Sequence, residues 1–215
     1  MPHYYVETDG EVYLIQENGQ WRFPARKESL PFPVEALRTM FVLGEEVHFC
    51  KPLIAYHPHW CHKDEVVSWD NVHPLVTQAI NTSLPRVVAE AVAVEREKIL
   101  LVKPNRGFNE GRWTLPGGYV GYGESTQQAV VREVSEELGV RCEAGKLLDL
   151  ESFVGQDSCF HWHMCFYEVK LLDHDFVLPQ DEIEEVRWFP LDEAIKAVSF
   201  ENIQSALKKL YDRRV

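Results

Sequence analysis

Glu133, Glu136 and Glu137 follow one another at i, i+3 and i+4, directly after Arg132. On a helix that advances ~100° per residue, the three carboxylates fall within roughly 100° of arc. Like charges at these spacings repel by a few tenths of a kcal/mol per pair. An acidic face that simply meets water is the ordinary outcome of such a run. The alternative is a hard divalent cation that neutralises the three acids. Mg²⁺ takes oxygen ligands and keeps waters, and it can polarise a phosphoryl oxygen, activate a water and neutralise a leaving group. No nucleophile–base pair stands near these acids. Metal-assisted hydrolysis, suited to a pyrophosphate link, is therefore the chemistry they could carry.

The surrounding sequence supplies elements to position them. Ser125 is a good N-cap for a helix running to Leu138, and Gly139 suits the C′ position that stops it. Val130, Val131, Val134 and Leu138 fall on another arc and can face a core. Upstream, Arg86–Glu95 is a nearly continuous apolar strand of the kind buried on both faces. Glu95–Lys98 turns, and Ile99–Val102 returns. Residues 103–112 form a polar loop, and Trp113–Gly118 leads to the glycine-rich turn before the helix. Downstream, Leu147–Val154 and Cys159–Val169 read as strands joined at Gly155–Ser158. Leu172–Asp181 is a loop, Glu184–Phe189 a short strand, and Leu191–Ala197 and Asn202–Tyr211 are amphipathic helices. The pattern predicts an α/β fold, a mixed sheet flanked by helices.

The whole stretch 118–140 resembles the Nudix (MutT-like) hydrolase family. Gly118, Glu124, Arg132, Glu133, Val134, Glu136, Glu137, Gly139 and Val140 occupy every fixed position of Gly-x₅-Glu-x₇-Arg-Glu-U-x-Glu-Glu-x-Gly-U, with U a bulky aliphatic. The resemblance implies a Nudix α/β/α sandwich with a mixed sheet over residues 84–215. It also implies a Mg²⁺-dependent (or Mn²⁺-dependent) hydrolase cleaving a pyrophosphate bond in a nucleoside diphosphate linked to another moiety. That class takes in nucleotide sugars, dinucleotides and nucleoside triphosphates.

By motif position, Glu133, Glu136 and Glu137 are the implied metal ligands, with the Gly117 carbonyl as another. Arg132 and Glu124 support the site. The box leaves the general base open between a box glutamate and a late-loop acid. Asp181, Glu182, Glu184 and Glu185 are the late candidates, and Glu182 is preferred. Arg106 and Arg112 could meet phosphate bidentately. Phe108, Trp113 and Tyr122 could stack on a base or ribose, or simply pack. The proline expected about fifteen residues past the box of ADP-ribose pyrophosphatases is absent, as is the Ser-Gln-Pro-Trp-Pro-Phe-Pro-x-Ser run of NADH pyrophosphatases. A nucleotide-sensing regulator on the same scaffold is the competing class. Such proteins commonly lose box acids, and all are present here.

Residues 1–83 read as a small β-rich N-terminal module. Tyr4–Val6, Glu11–Gln16 and Gln20–Phe23 are strand-like, with Asp9-Gly10 and Asn18-Gly19 as type I′ turns of a meander. Pro33–Met40 is predicted as a short helix, Val47–Phe49 and Leu53–Tyr56 as short strands, and Val72–Asn81 as weakly helical. His48, Cys50, His57, His59, Cys61 and His62 have zinc-ligand chemistry, and some Nudix relatives carry zinc-binding N-terminal modules. The spacing fits no familiar finger, so packed or surface roles are preferred over zinc. Shaping the substrate cleft and forming a homodimer are the other roles open to this module.

The 215 residues carry a formal net charge of −12. That balance argues against nonspecific nucleic-acid binding but leaves anionic substrates open, because a metal can invert the local sign. The hydrophobic share of 45% is enough for a core. The first residues lack the basic start and apolar run of a signal peptide, and no apolar run is long enough to span a membrane. Five cysteines without a C-x-x-C fit reduced thiols. A cytoplasmic protein acting on a small nucleotide-derived substrate, with no nucleic-acid or membrane partner, is the expectation.

Overall fold

The computed structural model describes residues 2–54, 60–107, 109–155 and 160–212. The chain forms two compact units, one over Met1–Leu84 with Gln156–Phe160 and the other over Pro85–Gly155 and His161–Val215.

In the first unit, β1 (His3–Thr8) and β2 (Glu11–Tyr13) pair antiparallel. Asp9 and Gly10 both take positive φ, 51° and 79°, as a type I′ turn requires. The strand expected over Glu11–Gln16 breaks at the buried Leu14. Beyond that break, β3 (Ile15–Glu17) and β4 (Gln20–Arg22) form a separate two-stranded sheet, turned by Asn18-Gly19. The single meander is thus two hairpins.

The helix expected over Pro33–Met40 is instead strand β5 (Val34–Val42), paired antiparallel with β6 (Glu45–Pro52). Leu43 and Gly44 take φ of 51° and 80° and close this hairpin, and Met40 and Val42 are buried on either side of an exposed Phe41. Cross-strand pairing overrides the helical propensity of that short run. Leu53 and Ile54 lie in no strand, and Ala55 and Tyr56 fall outside the described residues. β7 (Cys61–His62), α1 (Lys63–Val66) and α2 (Pro74–Ser83) complete the unit. The sheet order is β5-β6-β1-β2-β7, with β1 and β6 parallel. Helix α2 starts with Pro74 at its first turn and buries Leu75, Val76, Ala79 and Ile80 against Tyr5, Val12 and Val47.

The second unit is a mixed sheet of β8 (Arg86–Glu95), β9 (Lys98–Pro104), β10 (Gly117–Tyr119), β11 (Cys142–Val154), β12 (His161–Leu171) and β13 (Ile183–Pro190). Its order is β11-β12-β8-β9-β13, with β10 also on β8. β12 and β8 run parallel, and the other pairs are antiparallel. Helix α3 (Thr126–Leu138) covers one face of this sheet. Its Ala129, Val130, Val134 and Leu138 pack on Ala89, Ala91 and Ala93, whose small side chains let the helix come close. Helices α4 (Leu191–Ala197) and α5 (Glu201–Asp212) cover the other face through Leu191, Ala194, Ile203 and Leu207, against Val88, Val92 and Phe166. The result is the α/β/α sandwich expected of the family.

Strand β8 positions the site. Its first half pairs with β10, Glu90 opposite Gly117, while only Val94 and Glu95 pair with β9. Between these pairings the Ala91 amide donates to the Pro116 carbonyl at 2.7 Å. The strand forks there, and the acidic helix, the glycine turn and Glu90 meet at that fork.

Candidate active site

Helix α3 is fixed at both ends. The Gln128 amide donates to the Ser125 hydroxyl at 3.2 Å, and the Ser125 amide donates to the Gln128 side-chain oxygen at 2.8 Å. This is a reciprocal capping box, and the glutamine half of it went unread in the sequence. Gly139 closes the helix at φ 68°, where a Cβ would meet the Val177 carbonyl at 2.8 Å.

Arg132 ties the acidic face together. Its Nε and Nη2 donate to the two oxygens of Glu124 at 2.9 and 3.0 Å, a bidentate fork. Its Nη1 donates to Glu133 at 2.7 Å and to Glu136 at 2.8 Å, and Nη2 also reaches the Tyr119 carbonyl at 2.8 Å. The hydrogen bonds that Arg132 donates, to Glu124 first, then to Glu133 and Glu136, raise the guanidinium pKa still further. The same bond from Arg132, with that from the Gly121 amide, lowers the pKa of Glu124.

Glu137 turns inward instead. It is buried, and its Oε2 accepts from the Gly117 amide at 3.0 Å. Burial raises its pKa well above the usual carboxyl value, and the charges of Glu133, Glu90 and Glu182 push the same way. Glu133 is also raised, by burial, although Arg132 opposes it. The glycines make room. A Cβ on Gly118 would lie 2.5 to 2.8 Å from the Glu133 carboxylate, and one on Gly117 would lie 2.3 Å from the Ala89 carbonyl.

Glu90 was missed. It sits in the apolar run Val87–Val94 and is buried. Burial first, and Glu133 second, push its carboxyl up to about 8. The signal was legible as a lone acid inside a strand predicted to be buried on both faces.

Of the late-loop acids, Glu184 pairs with Lys103 at 2.8 Å and Glu185 with Arg187. Glu182 is the one whose charge bears on both Glu133 and Glu137. It also accepts from Arg106 at 3.1 Å, and its carbonyl accepts the Asn105 amide at 2.8 Å. The loop 103–112 is thereby tied to the late loop. Arg112 lies over the Phe200 ring at 5.7 Å. Trp113 packs edge-on against Phe189 at 4.9 Å, with the Arg187 guanidinium 5.2 Å from its centroid. These are contacts of an aromatic rim rather than of the box acids. Phe108 lies outside the described residues. Tyr122 is fully exposed. An aromatic row that the sequence did not reveal, Tyr119, Trp162 and Phe153, begins beside the Arg132 contact, with centroid spacings of 5.6 and 6.5 Å.

As arranged, no three His, Cys, Asp or Glu side chains among the described residues are placed to hold an ion together. Arg132 pairs with both Glu133 and Glu136. The donors nonetheless fit a hard divalent cation. They are all oxygens, and the buried Glu90 Oε2 nearby has no hydrogen-bond partner among the described residues. In the N-terminal unit the described members of the histidine–cysteine set form no zinc group, and His57 and His59 lie outside the described residues. Cys50, Cys61, Cys142 and Cys165 are free thiols, and burial pushes that of Cys142 up to about 11.

Residues 84–213 match the family model of the NUDIX domain. The chain belongs to the Nudix family. It is 34% identical over 205 residues to the NAD-capped RNA hydrolase NudC of Pseudomonas aeruginosa, covering 85% of this chain and 72% of that one. That alignment is longer than the Nudix domain and so takes in part of the N-terminal unit. The asymmetrical bis(5′-nucleosyl)-tetraphosphatase of Sus scrofa is 30% identical over 117 residues, 52% of this chain and 77% of the relative. Among solved structures, the MutT Nudix hydrolase of Burkholderia pseudomallei superposes with a TM-score of 0.53 at 31% identity, over 60% of this chain and 99% of that one. The protein is a Nudix hydrolase, an enzyme that cleaves pyrophosphate bonds. Nudix enzymes generally use Mg²⁺ or Mn²⁺. No helix among the described residues is long and apolar enough to cross a membrane.

Proposed function

We propose that the Nudix domain, over residues 84–215, hydrolyses a small nucleoside diphosphate linked to a second moiety, with the β-rich module of residues 1–83 beside it in the chain. The observation that carries this reading is the acid constellation at the fork of β8. Arg132 gathers Glu124, Glu133 and Glu136, while Glu137 is buried against Gly117.

Glu133, Glu136, Glu137 and the Gly117 carbonyl would hold Mg²⁺ or Mn²⁺. When bound, the cation would polarise a phosphoryl oxygen and make a water nucleophilic near neutral pH. The protein's own groups do the rest. Arg132, braced by the bidentate Glu124, orients Glu133 and Glu136 through its Nη1. Gly118 leaves the Glu133 carboxylate its space. Glu182 is the general base, because its charge already bears on the box and a short tether to Asn105 fixes its loop. Arg106 neutralises Glu182 in the free enzyme. A substrate phosphate would compete for that guanidinium and release the carboxylate to take a proton.

The relatives named above act, by name, on NAD-capped RNA and on a dinucleoside tetraphosphate. The shared chemistry is a nucleotide joined through a pyrophosphate to a second group. The net charge of −12 supports a small substrate over a long nucleic acid. Product release from nucleotide sugars, dinucleotides and nucleoside triphosphates, with Mg²⁺ or Mn²⁺, tests this. Turnover of at least one class, lost in Glu137→Gln, is expected. Binding without turnover across the panel would overturn the proposal.

A further inference from the structure

Three buried side-chain atoms lack a hydrogen-bond partner among the described residues: Arg22 Nε, Thr114 Oγ1 and Glu90 Oε2. Only the last belongs to a carboxylate. A buried carboxyl oxygen without a partner is costly, so its retention calls for something that pairs with it at another stage of the protein's work. The position of Glu90 indicates what that is. It stands on β8 opposite Gly117, and its Oε2 lies 3.0 Å from where a Gly117 Cβ would be. The space at Gly117 is therefore where this oxygen points. The Gly117 amide is already given to Glu137 and cannot serve it. Arg132 is engaged by Glu124, Glu133, Glu136 and the Tyr119 carbonyl. The charges that act here are all negative: Glu133 bears on Glu90, and Glu133, Glu90 and Glu182 bear on Glu137. A cluster of oxygens with one unpartnered member favours a positive ion.

We propose that Glu90 is a further carboxylate of the cation site, supplied by strand β8 rather than by the acidic helix. The inference rests on the reading that the box binds a divalent cation. Glu90 meets the cation from the Gly117 side, so the site is closed by the sheet as well as by the helix. Glu90 is buried at the fork.

The probe is Mn²⁺ alone, titrated into the full chain and followed by the electron paramagnetic resonance signal of free Mn²⁺. Wild type, Glu90→Gln and Glu137→Gln are compared, with circular dichroism confirming that each variant is folded. Glu90→Gln is expected to weaken Mn²⁺ binding tenfold or more, the range seen when groups that support a metal site are removed. Should the amide variant fail to fold, Glu90→Asp keeps the charge and withdraws it by one methylene, and the same weakening is expected. Unchanged affinity in the folded Glu90 variant, with binding weakened in Glu137→Gln, overturns the role of Glu90 and leaves the box reading intact. Unchanged affinity in Glu137→Gln as well overturns both.

Discussion

With chelator present, the protein should lose stability as pH rises from about 5 to about 8, and Glu90 should account for much of the loss. Burial, reinforced by Glu133, pushes its carboxyl up to about 8, against 4.5 for an ordinary glutamate. Below pH 4.5 the group is neutral in both the folded and the unfolded chain and contributes no slope. Between the two values the unfolded chain releases the proton and the folded one keeps it, so each step up in pH favours unfolding. Above about 8 the folded group ionises too and the slope ends. At about 1.36 kcal/mol per pH unit, the gap amounts to about 5 kcal/mol over the window. Glu137, raised in the same direction, adds to the slope. Glu124 and Asp173 are lowered, by Arg132 and Arg141 respectively, and they act with the opposite sign in the acid range below this window. Urea unfolding at half-unit pH steps in chelator gives the curve. Glu90→Gln should flatten it markedly, and excess Mg²⁺ at pH 8 should restore stability through preferential binding to the folded state. Equal slopes for wild type and Glu90→Gln would refute the reasoning.

Gly118→Ala would drive a Cβ into the Glu133 carboxylate, within 2.8 Å of its atoms. Mn²⁺ affinity should fall about tenfold, read by titration, with the fold intact by circular dichroism. Ser125→Ala removes one half of the capping box and should cost about 1 kcal/mol in urea unfolding. Glu182→Gln should lower kcat by about a hundredfold or more and change KM far less.

The features legible in the sequence are those written locally. The helix over 126–138, its Ser125 cap, its Gly139 stop and the arc of three glutamates depend on spacing within a few turns, and all are present in the structure. The I′ turns at Asp9-Gly10 and Asn18-Gly19 are dipeptide signals and are present equally. Features that depend on distant pairing did not show. Strand β5 reads as a helix in isolation because its fate is set by β6 and by the Leu43-Gly44 turn, not by its own residues. The tie between Arg106 and Glu182 spans 76 positions, and nothing in either loop announces the other. Glu90 becomes part of the site only because β8 forks at that residue. The absence of a proline after the box, taken alone, said little about substrate.

The central claim is that the acids gathered at Arg132 and Gly117 carry divalent-cation-dependent cleavage of a pyrophosphate bond. Its most direct test is the initial rate of phosphoryl product formation from the best substrate of the nucleotide panel. Wild type and folded Glu137→Gln are compared, each with Mg²⁺ and with chelator. Turnover is expected in wild type with Mg²⁺ alone, and at least a hundredfold less in the other three conditions. Full activity in Glu137→Gln, or in wild type with chelator, would contradict the claim.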